Sequence, residues 1–372
     1  MNDTNEERIV SLDALRGLTI GFMILVNTPG SWNYVYAPLR HAKWHGCTPT
    51  DLVFPFFLFI VGTAMRFSFS RFDYKPSSLL IKKIIWRSVT IFVIGLMLNA
   101  FPFIRQDWDW SSFRVMGVLQ RIGIAYGISS IAVLHIHGKQ LFYFSTFILL
   151  IYWFVLLFFG GVNPYSLETN IVRTIDMALL GESHLYGGTG IPFDPEGLFS
   201  TIPAAVSVII GYAIGERFQN RVNGINVFYQ LIKWGVLGTL LGMIWGLVFP
   251  INKQIWTSSY VLFTGGIATL FMAGFYWLID FKGFHNIAWP FVIFGTNSIF
   301  VYAASGLWSK ALLLINFEYK NRVISGYGYL YKTIFQPLAG DLNGSFLFAL
   351  AHVVVFWLLL YWMYRKKIFI KI

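Results

Sequence analysis

Apolar runs of about 20 residues, broken by short polar stretches, recur along the chain from residue 12 to residue 364. A helix of that length crosses a ~30 Å hydrocarbon core. The pattern therefore predicts ten spans, near residues 12–29, 52–70, 84–104, 115–135, 140–161, 198–215, 232–250, 257–279, 287–307 and 345–364. Residues 308–343 leave room for a re-entrant or interfacial helix around Leu312 to Phe317. The longest interruption, residues 162–197, carries an apolar stripe in LETNIVRTIDMALLG, which predicts an amphipathic helix over Leu167 to Leu180 lying on the bundle. No polar block is large enough to fold alone, so residues 1–372 read as one transmembrane domain.

Composition narrows the class further. The chain is 56% hydrophobic, 19% aromatic and 12% charged, against roughly 25% charged in soluble domains. It cannot cover itself with a polar surface, so the expected fold is an all-α integral membrane bundle partnered by lipid, not by nucleic acid. The single cysteine, Cys47, excludes an internal disulfide and every multi-cysteine metal or cluster site. The N-terminal MNDTNEERIVSLD is acidic where a signal peptide would be basic, so the first apolar run is expected to stay as a helix.

Charge sets the orientation. With ten spans, the basic clusters Arg66, Arg71, Lys75, Lys82, Lys83 and Arg87, and Arg365 to Lys367, fall on the same side. The positive-inside rule makes that side cytoplasmic, together with both termini. In a bacterium this is a multi-pass protein of the inner membrane. The 66–87 cluster reads either as topology-setting charge near anionic lipid or as a site for a phosphorylated ligand. Neither a G-x-x-x-x-G-K-[ST] loop nor a strand-linked G-x-G-x-x-G accompanies it.

The polar residues near the spans carry the candidate chemistry. LRHAKWHGCTPTDLVFPFFLFIVG, residues 39–62, places His41, Trp44, His45 and Asp51 at the mouth of an unbroken apolar run. Polar groups beside hydrocarbon cost free energy, which makes them functional candidates. An imidazole there can do acid–base work. His41 and His45 are four apart, but Pro38, Gly46 and Pro49 argue against a helix and only Asp51 offers a third ligand, so no metal is expected. Asp13 and Arg16, three apart on one helix, predict an ion pair. Gln120 and Arg121 lie deeper and must face the interior, a cavity or a bound anion. Asn27 and Asn297 are polar within or at the end of spans, and Asp194 and Glu196 belong to the polar run of the long outer loop.

Six segments taken in order add a resemblance: RIVSLDALRGLTIGFMILVN, HAKWHGCTPTDLVFPFFLFIVG, RVMGVLQRIGIAYG, FDPEGLFSTIPAAV, INKQIWTSSYVLFTGG and PFVIFGTNSIFVY. From about residue 8 to 305 the chain resembles the transmembrane heparan-alpha-glucosaminide N-acetyltransferase family, in particular bacterial relatives lacking the lumenal domain of the animal enzyme. The resemblance implies acetyl transfer from cytoplasmic acetyl-CoA to the amine of a terminal glucosamine or related amino sugar on the periplasmic or lumenal side. The family's essential histidine, in H-A-x-W-x-G-x-T-x-x-D-L-V-F-P, falls on His41, and a family asparagine falls on Asn27.

On that reading His41 acts as a base, or as a nucleophile through an acetyl-imidazole, and both routes stay open. Asn27 would donate to the developing oxyanion and Asp51 would fix the imidazole tautomer. Gln120 and Arg121 would line the path of acetyl-CoA, and Lys82, Lys83 and Arg87 would hold its nucleotide. Trp44, His45, Asp194, Glu196 and Asn297 are the candidates for the acceptor. Family analogy suggests a homodimer. The rival reading is a secondary transporter or exporter of an amino sugar or related solute, which many helices and the intramembrane Asp13, Arg16 and Arg121 also fit. No internal repeat joins residues 1–180 to 190–372, however, and His41 stands at one mouth, away from the midplane.

Overall fold

The computed structural model describes residues 9–103, 108–219 and 224–370. Ile104, where the third predicted span ends, lies outside them. Helices dominate: α1 (Val10–Asn27), α2 (Val53–Ser70), α3 (Ser78–Ala100), α4 (Val118–His135), α5 (Gly138–Phe159), α6 (Ile171–Leu180), α7 (Thr201–Gln219), α8 (Gly224–Trp245), α9 (Ser258–Phe275), α10 (His285–Thr296), α11 (Ser298–Leu314), α12 (Gly326–Leu330) and α13 (Gln336–Arg365). Among the described residues, seven segments are long and apolar enough to cross a membrane, or eight if the bent pair α10–α11 counts as one. The protein is a multi-pass membrane protein. Helices α3 and α7, of 23 and 19 residues, pack alongside these segments.

Local chemistry accounts for where the helices start. The Asp280 carboxylate, at the end of the turn that extends α9, accepts the first two free N–H groups of α1, from Val10 at 3.1 Å and Ser11 at 3.2 Å. Ser77, Asn170 and Thr257 cap α3, α6 and α9 through their side-chain oxygens. The amphipathic helix of the long loop is therefore α6, begun by Asn170 three residues later than its apolar stripe suggests. Asp13 and Arg16 make the predicted ion pair, at 3.0 Å.

Two expectations from the sequence need correction. The ninth apolar run is broken: α10 and α11 meet at 68°, with Asn297 between them. Its amide donates to the Ile368 carbonyl at 3.1 Å and accepts from Ile370 N–H at 2.7 Å, so the C-terminal tail supplies the bonds that the break removes. Second, no separate helix forms around Leu312 to Phe317. Instead α11 continues to Leu314 and leads into an antiparallel hairpin, β1 (Asn316–Tyr319) and β2 (Arg322–Ser325), with Tyr319 opposite Arg322. Its two-residue turn, Lys320 and Asn321, has positive φ at both positions (50° and 60°), the geometry that matches strand twist. The fold is thus mostly, not wholly, helical.

Packing pairs α2 with α7, α8 with α9, α1 with α10 and α3 with α4. The α2–α7 contact is among the close ones. A Cβ placed on Gly62 would lie 1.8 Å from the Val208 carbonyl oxygen, and one on Gly211 would lie 1.9 Å from that of Phe59. Thr63 Oγ1 sits 3.0 Å from the Gly211 carbonyl in the same seam. Small residues let the two backbones approach, and a polar group bonds across them. Gly62→Ala is therefore expected to force the helices apart and to destabilise the protein by about 1–3 kcal/mol, the usual cost of overpacking. Thermal unfolding in detergent checks this, with Gly274→Ala, where an added Cβ meets nothing within 4 Å, as the control.

Because successive helices reverse direction, the loops fall into two groups. Residues 28–52, 160–200, 246–257 and the start of α13 gather at one end, joined by Trp44 to Tyr165, Gly46 to Ile251 and Gly30 to Ser345. The other end holds the Asp280 cap, the basic start of α3 and the tail around Ile368.

Candidate active site

At the first of these ends the strap linking α1 to α2 wraps round one carboxylate. Thr48 and Asp51 form a capping box across a 3-10 turn, Pro49–Leu52, with Pro49 at its first position. Asp51 Oδ2 then accepts the backbone N–H groups of Ala42 and Thr48, each at 3.0 Å. Its Oδ1 faces His41 Nδ1 at 2.7 Å. The carboxylate is 1% exposed and the imidazole 40% exposed. A carboxylate accepts only, so Nδ1 carries the proton and Nε2 is the free lone pair.

A second loop completes the cluster. Gly46, at φ 103°, donates its N–H to the Ile251 carbonyl at 2.7 Å and pairs with Asn252 in a parallel bridge. That contact delivers Lys253, whose Nζ lies 3.1 Å from His41 Nδ1 and 3.5 Å from Asp51 Oδ1. Since Nδ1 bears its proton toward Asp51, the ammonium belongs with the carboxylate. Burial pulls the Lys253 ammonium below the ordinary lysine range, opposed by the charge of Asp51. Tyr260 donates its hydroxyl to the Asp51 backbone carbonyl at 2.6 Å, tying the cluster to α9.

Lys253 is the residue that sequence reading misses as a site group. It stands 212 positions from His41 in INKQIW, one more basic residue in an outer loop. The available signal is its place between two apolar runs, three residues before Trp256.

The remaining candidates separate into groups. Trp44 and His45 share the strap. Trp44 donates its indole N–H to the Tyr165 carbonyl at 2.7 Å and packs its edge on Phe193. His45 Nδ1 lies 3.3 Å from Asn252 Nδ2, and burial lowers its basicity. Cys47, half-buried on the same strap, has its thiol pushed up to about 12 by burial and then by the charge of Asp51. Asn27 ends α1 with its side chain exposed and without a hydrogen bond among the described residues.

Below the strap, Arg121 is fully buried. Its guanidinium lies 5.0 Å from the Trp256 ring centre and 6.0 Å from that of Phe54, and it donates to the Gly197 carbonyl at 3.2 Å and to Ser200. Its Nε and Nη1 have no acceptor among the described residues. Gln120 donates to the Val115 carbonyl at 3.0 Å and lies against Gly95 of α3. Asp194 and Glu196 are held by Arg114: a fork to both Asp194 oxygens, at 2.8 and 2.7 Å, and a bond to Glu196 at 2.8 Å. Burial works against the Arg114 charge, yet the Asp194 bonds hold its guanidinium firmly protonated.

Three candidates and Asn297 sit at the opposite end. Lys82 and Lys83 are exposed on the first half of α3, with Lys83 4.9 Å from the Phe72 ring centre, and Arg87 is 4.9 Å from that of Tyr126. Helix α2, 18 residues long, separates this end from His41 by about 27 Å.

Asp176, on α6, gives the outer loop a pH dependence. It is fully buried, with Oδ1 accepting from Phe199 N–H at 2.9 Å and Oδ2 unpartnered. Burial raises its carboxyl to about 6, opposed by the Phe199 bond and the Arg121 charge. The folded state therefore holds a proton that the unfolded chain has released between the ordinary carboxylate value and about pH 6, and stability falls as pH rises through that window. Asp176→Asn keeps the acceptor for Phe199 and removes the titration. The variant's Tm is expected to exceed that of the wild type by a margin that widens up to about pH 6 and is then constant, read from paired melts across the range.

Residues 8–244 match the family model described as heparan-alpha-glucosaminide N-acetyltransferase, catalytic. The human heparan-alpha-glucosaminide N-acetyltransferase is 26% identical over 419 aligned positions, covering 98% of this chain and 60% of the human protein. The mouse protein of the same name is 27% identical over 355, covering 80% and 53%. The chain thus spans between about half and three-fifths of the length of these relatives. With residues 8–244, most of its length, on the family model, the chain belongs to the heparan-alpha-glucosaminide N-acetyltransferase catalytic family.

Proposed function

We propose that the protein is a transmembrane acetyltransferase that moves an acetyl group from acetyl-CoA to the amine of a terminal glucosamine or related amino sugar. The observation that carries this reading is the His41–Asp51 pair, 2.7 Å apart, at one end of a membrane bundle that belongs to this catalytic family. With Nδ1 committed to Asp51, Nε2 of His41 takes a proton from the attacking ammonium or amine. The nitrogen adds to the thioester carbonyl, the C–S bond breaks, and CoA leaves as the thiol after taking up a proton. The direct route needs no covalent intermediate. Asp51 and Lys253 remain a fixed ion pair behind the imidazole, and Asn27 supplies an amide toward the oxyanion.

The basic start of α3 suits the other substrate. Lys82 and Lys83 are exposed where the nucleotide phosphates of acetyl-CoA would dock, with Arg87 beside them, and Arg121 has two nitrogens, Nε and Nη1, without a partner among the described residues, within the bundle for a thin acyl-pantetheine arm. Counting α3, α7 and the bent α10–α11 pair gives ten spans in one domain, which places both termini and this basic end in the cytoplasm and His41 on the periplasmic or lumenal side.

Purified protein in nanodiscs, given acetyl-CoA labelled in the acetyl group and a set of glucosamine-type acceptors, tests the proposal. Label on the acceptor amine with wild type, and not with His41→Ala, is the expected result. Solute flux without transfer would replace the proposal with a transporter.

A further inference from the structure

One joint beside the His41 cluster depends on the charge of a single imidazole. Asn252 is fully buried and its other polar atoms are committed: its N–H donates to Thr257 Oγ1 at 3.0 Å, its carbonyl accepts from Thr257 N–H at 3.1 Å, and its Oδ1 accepts from Ile255 N–H at 3.1 Å. The last bond fixes which way the amide faces, so its NH₂ group is turned to His45 Nδ1, at 3.3 Å. An amide NH₂ only donates, so Nδ1 of His45 accepts and the ring proton sits on Nε2. The strap thus carries two imidazoles of opposite tautomer, His41 protonated on Nδ1 and His45 on Nε2.

A second proton on His45 has only Nδ1 to occupy, where N–H would face NH₂, donor against donor. The bond is then lost, and Asn252 cannot turn its oxygen round without abandoning Ile255. His45 is exposed, so the proton arrives directly from solution. The titratable and charged groups round it are His41, Lys43, Cys47 and Asp51 on the strap, Lys253 on the facing loop, and Tyr165 and Glu168 on the outer-loop turn. Two cations stand against two carboxylates, with Asp51 already paired to Lys253, so no net field holds an imidazolium in place. Burial of the ring lowers its basicity in the same sense. The joint is therefore complete above the ordinary histidine value of ~6.5 and weakens as pH falls below it, because the open chain binds a proton that the closed joint refuses.

The joint stands beside the Gly46–Ile251 bond and the Gly46–Asn252 bridge, and the next residue is Lys253, with its ammonium 3.5 Å from Asp51 Oδ1. We infer that His45 and Asn252 form a proton-sensitive clasp that positions Lys253 against Asp51 and lets go in acid. The clasp stands on its own geometry; its effect on acetyl transfer rests on the acetyltransferase reading above, in which Asp51 without the Lys253 ammonium holds His41 less firmly.

Cys47, two positions along the strap and half-buried, reports the clasp. Its reaction with a dipyridyl disulfide, whose good leaving group keeps it reactive in acid, is timed in nanodiscs from about pH 7 to about pH 5, across the histidine range, against free glutathione. The wild-type rate relative to glutathione is expected to rise tenfold or more as pH falls. His45→Asn sets an oxygen where Nδ1 stands and does not titrate, so its relative rate is expected to stay flat. Asn252→Asp offers the imidazolium an acceptor, so its relative rate is expected to fall in acid. In the same preparations, kcat for acetyl transfer is expected to drop more steeply with acid in wild type than in His45→Asn. No acid response in wild type, or an equal one in His45→Asn, overturns the inference and leaves the acetyltransferase in place. A thiol response that His45→Asn abolishes, with no transfer to any acceptor at any pH, keeps the clasp and removes the acetyltransferase reading.

Discussion

His41→Ala is expected to lower acetyl transfer by about 10²–10⁴-fold, the range that a positioned general base contributes. The argument rests on which nitrogen is free. Asp51 Oδ1 holds Nδ1 at 2.7 Å, so the lone pair on Nε2 is the one available in a cluster whose other members are already committed. Lys253 pairs with the carboxylate, Thr48 and Ala42 donate to its second oxygen, and His45 lies beside Asn252. Nothing adjacent can take over the proton. Acetyl-CoA binding should be nearly unchanged, because the basic residues assigned to the nucleotide stand at the far end of α2. Single-turnover transfer and acetyl-CoA affinity, measured side by side, separate the two effects. A variant that transfers acetyl at the wild-type rate would remove His41 from the mechanism.

Asp51→Asn is expected to come second, with a loss of about 10²–10³-fold in kcat and a looser strap. The carboxylate meets His41 Nδ1 and the Lys253 ammonium at Oδ1, and Ala42 N–H, Thr48 N–H and the Thr48 hydroxyl at Oδ2. An amide has one acceptor oxygen. Turned one way, its NH₂ meets the two backbone N–H groups; turned the other, it meets the imidazole and drives the proton from Nδ1 to Nε2, blocking the base. Lys253→Met should cost less, since Asp51 retains its donors from His41, Ala42 and Thr48. Both substitutions are read by kcat against KM, with proteolysis of the 40–48 strap as an independent measure of loosening. Equal activity of Asp51→Asn and wild type would make the carboxylate a structural clasp only.

Much of the scaffold was legible because hydrocarbon imposes a simple rule. Nine of the ten predicted apolar runs lie mainly on one helix each, the ninth is split between α10 and α11, and the paired spacing of Asp13 and Arg16 gave their ion pair. The irregular parts were not legible because their causes are distant or local. The bend at Asn297 depends on Ile368 and Ile370, some 70 residues on, while FGTNS reads as part of a continuous run. The hairpin depends on Lys320 and Asn321 adopting positive φ, within a segment too short to show a period of two.

At the site the same division holds. His41, Trp44 and Asp51 lie within eleven residues of one another, so their grouping on one strap was legible. Lys253 comes from the far side of the fold through the Gly46–Asn252 bridge, a backbone contact that leaves no mark in either segment. Arg114, which holds Asp194 and Glu196, was likewise one basic loop residue among several until folding brought the loops together.

The single thiol of Cys47 has a practical corollary. Burial and the neighbouring Asp51 keep it far from the thiolate form at neutral pH, and the thiolate is the nucleophile toward maleimides. The native chain therefore serves as its own silent background for cysteine scanning, with no cysteine-free version to build and no disturbance of the strap. A cysteine placed at Lys320, exposed on the hairpin, reports the end that holds His41, and one at Lys82 reports the opposite end. An impermeant maleimide added to intact cells would label one of the two first, and the direction in which the protein faces would be read from a gel.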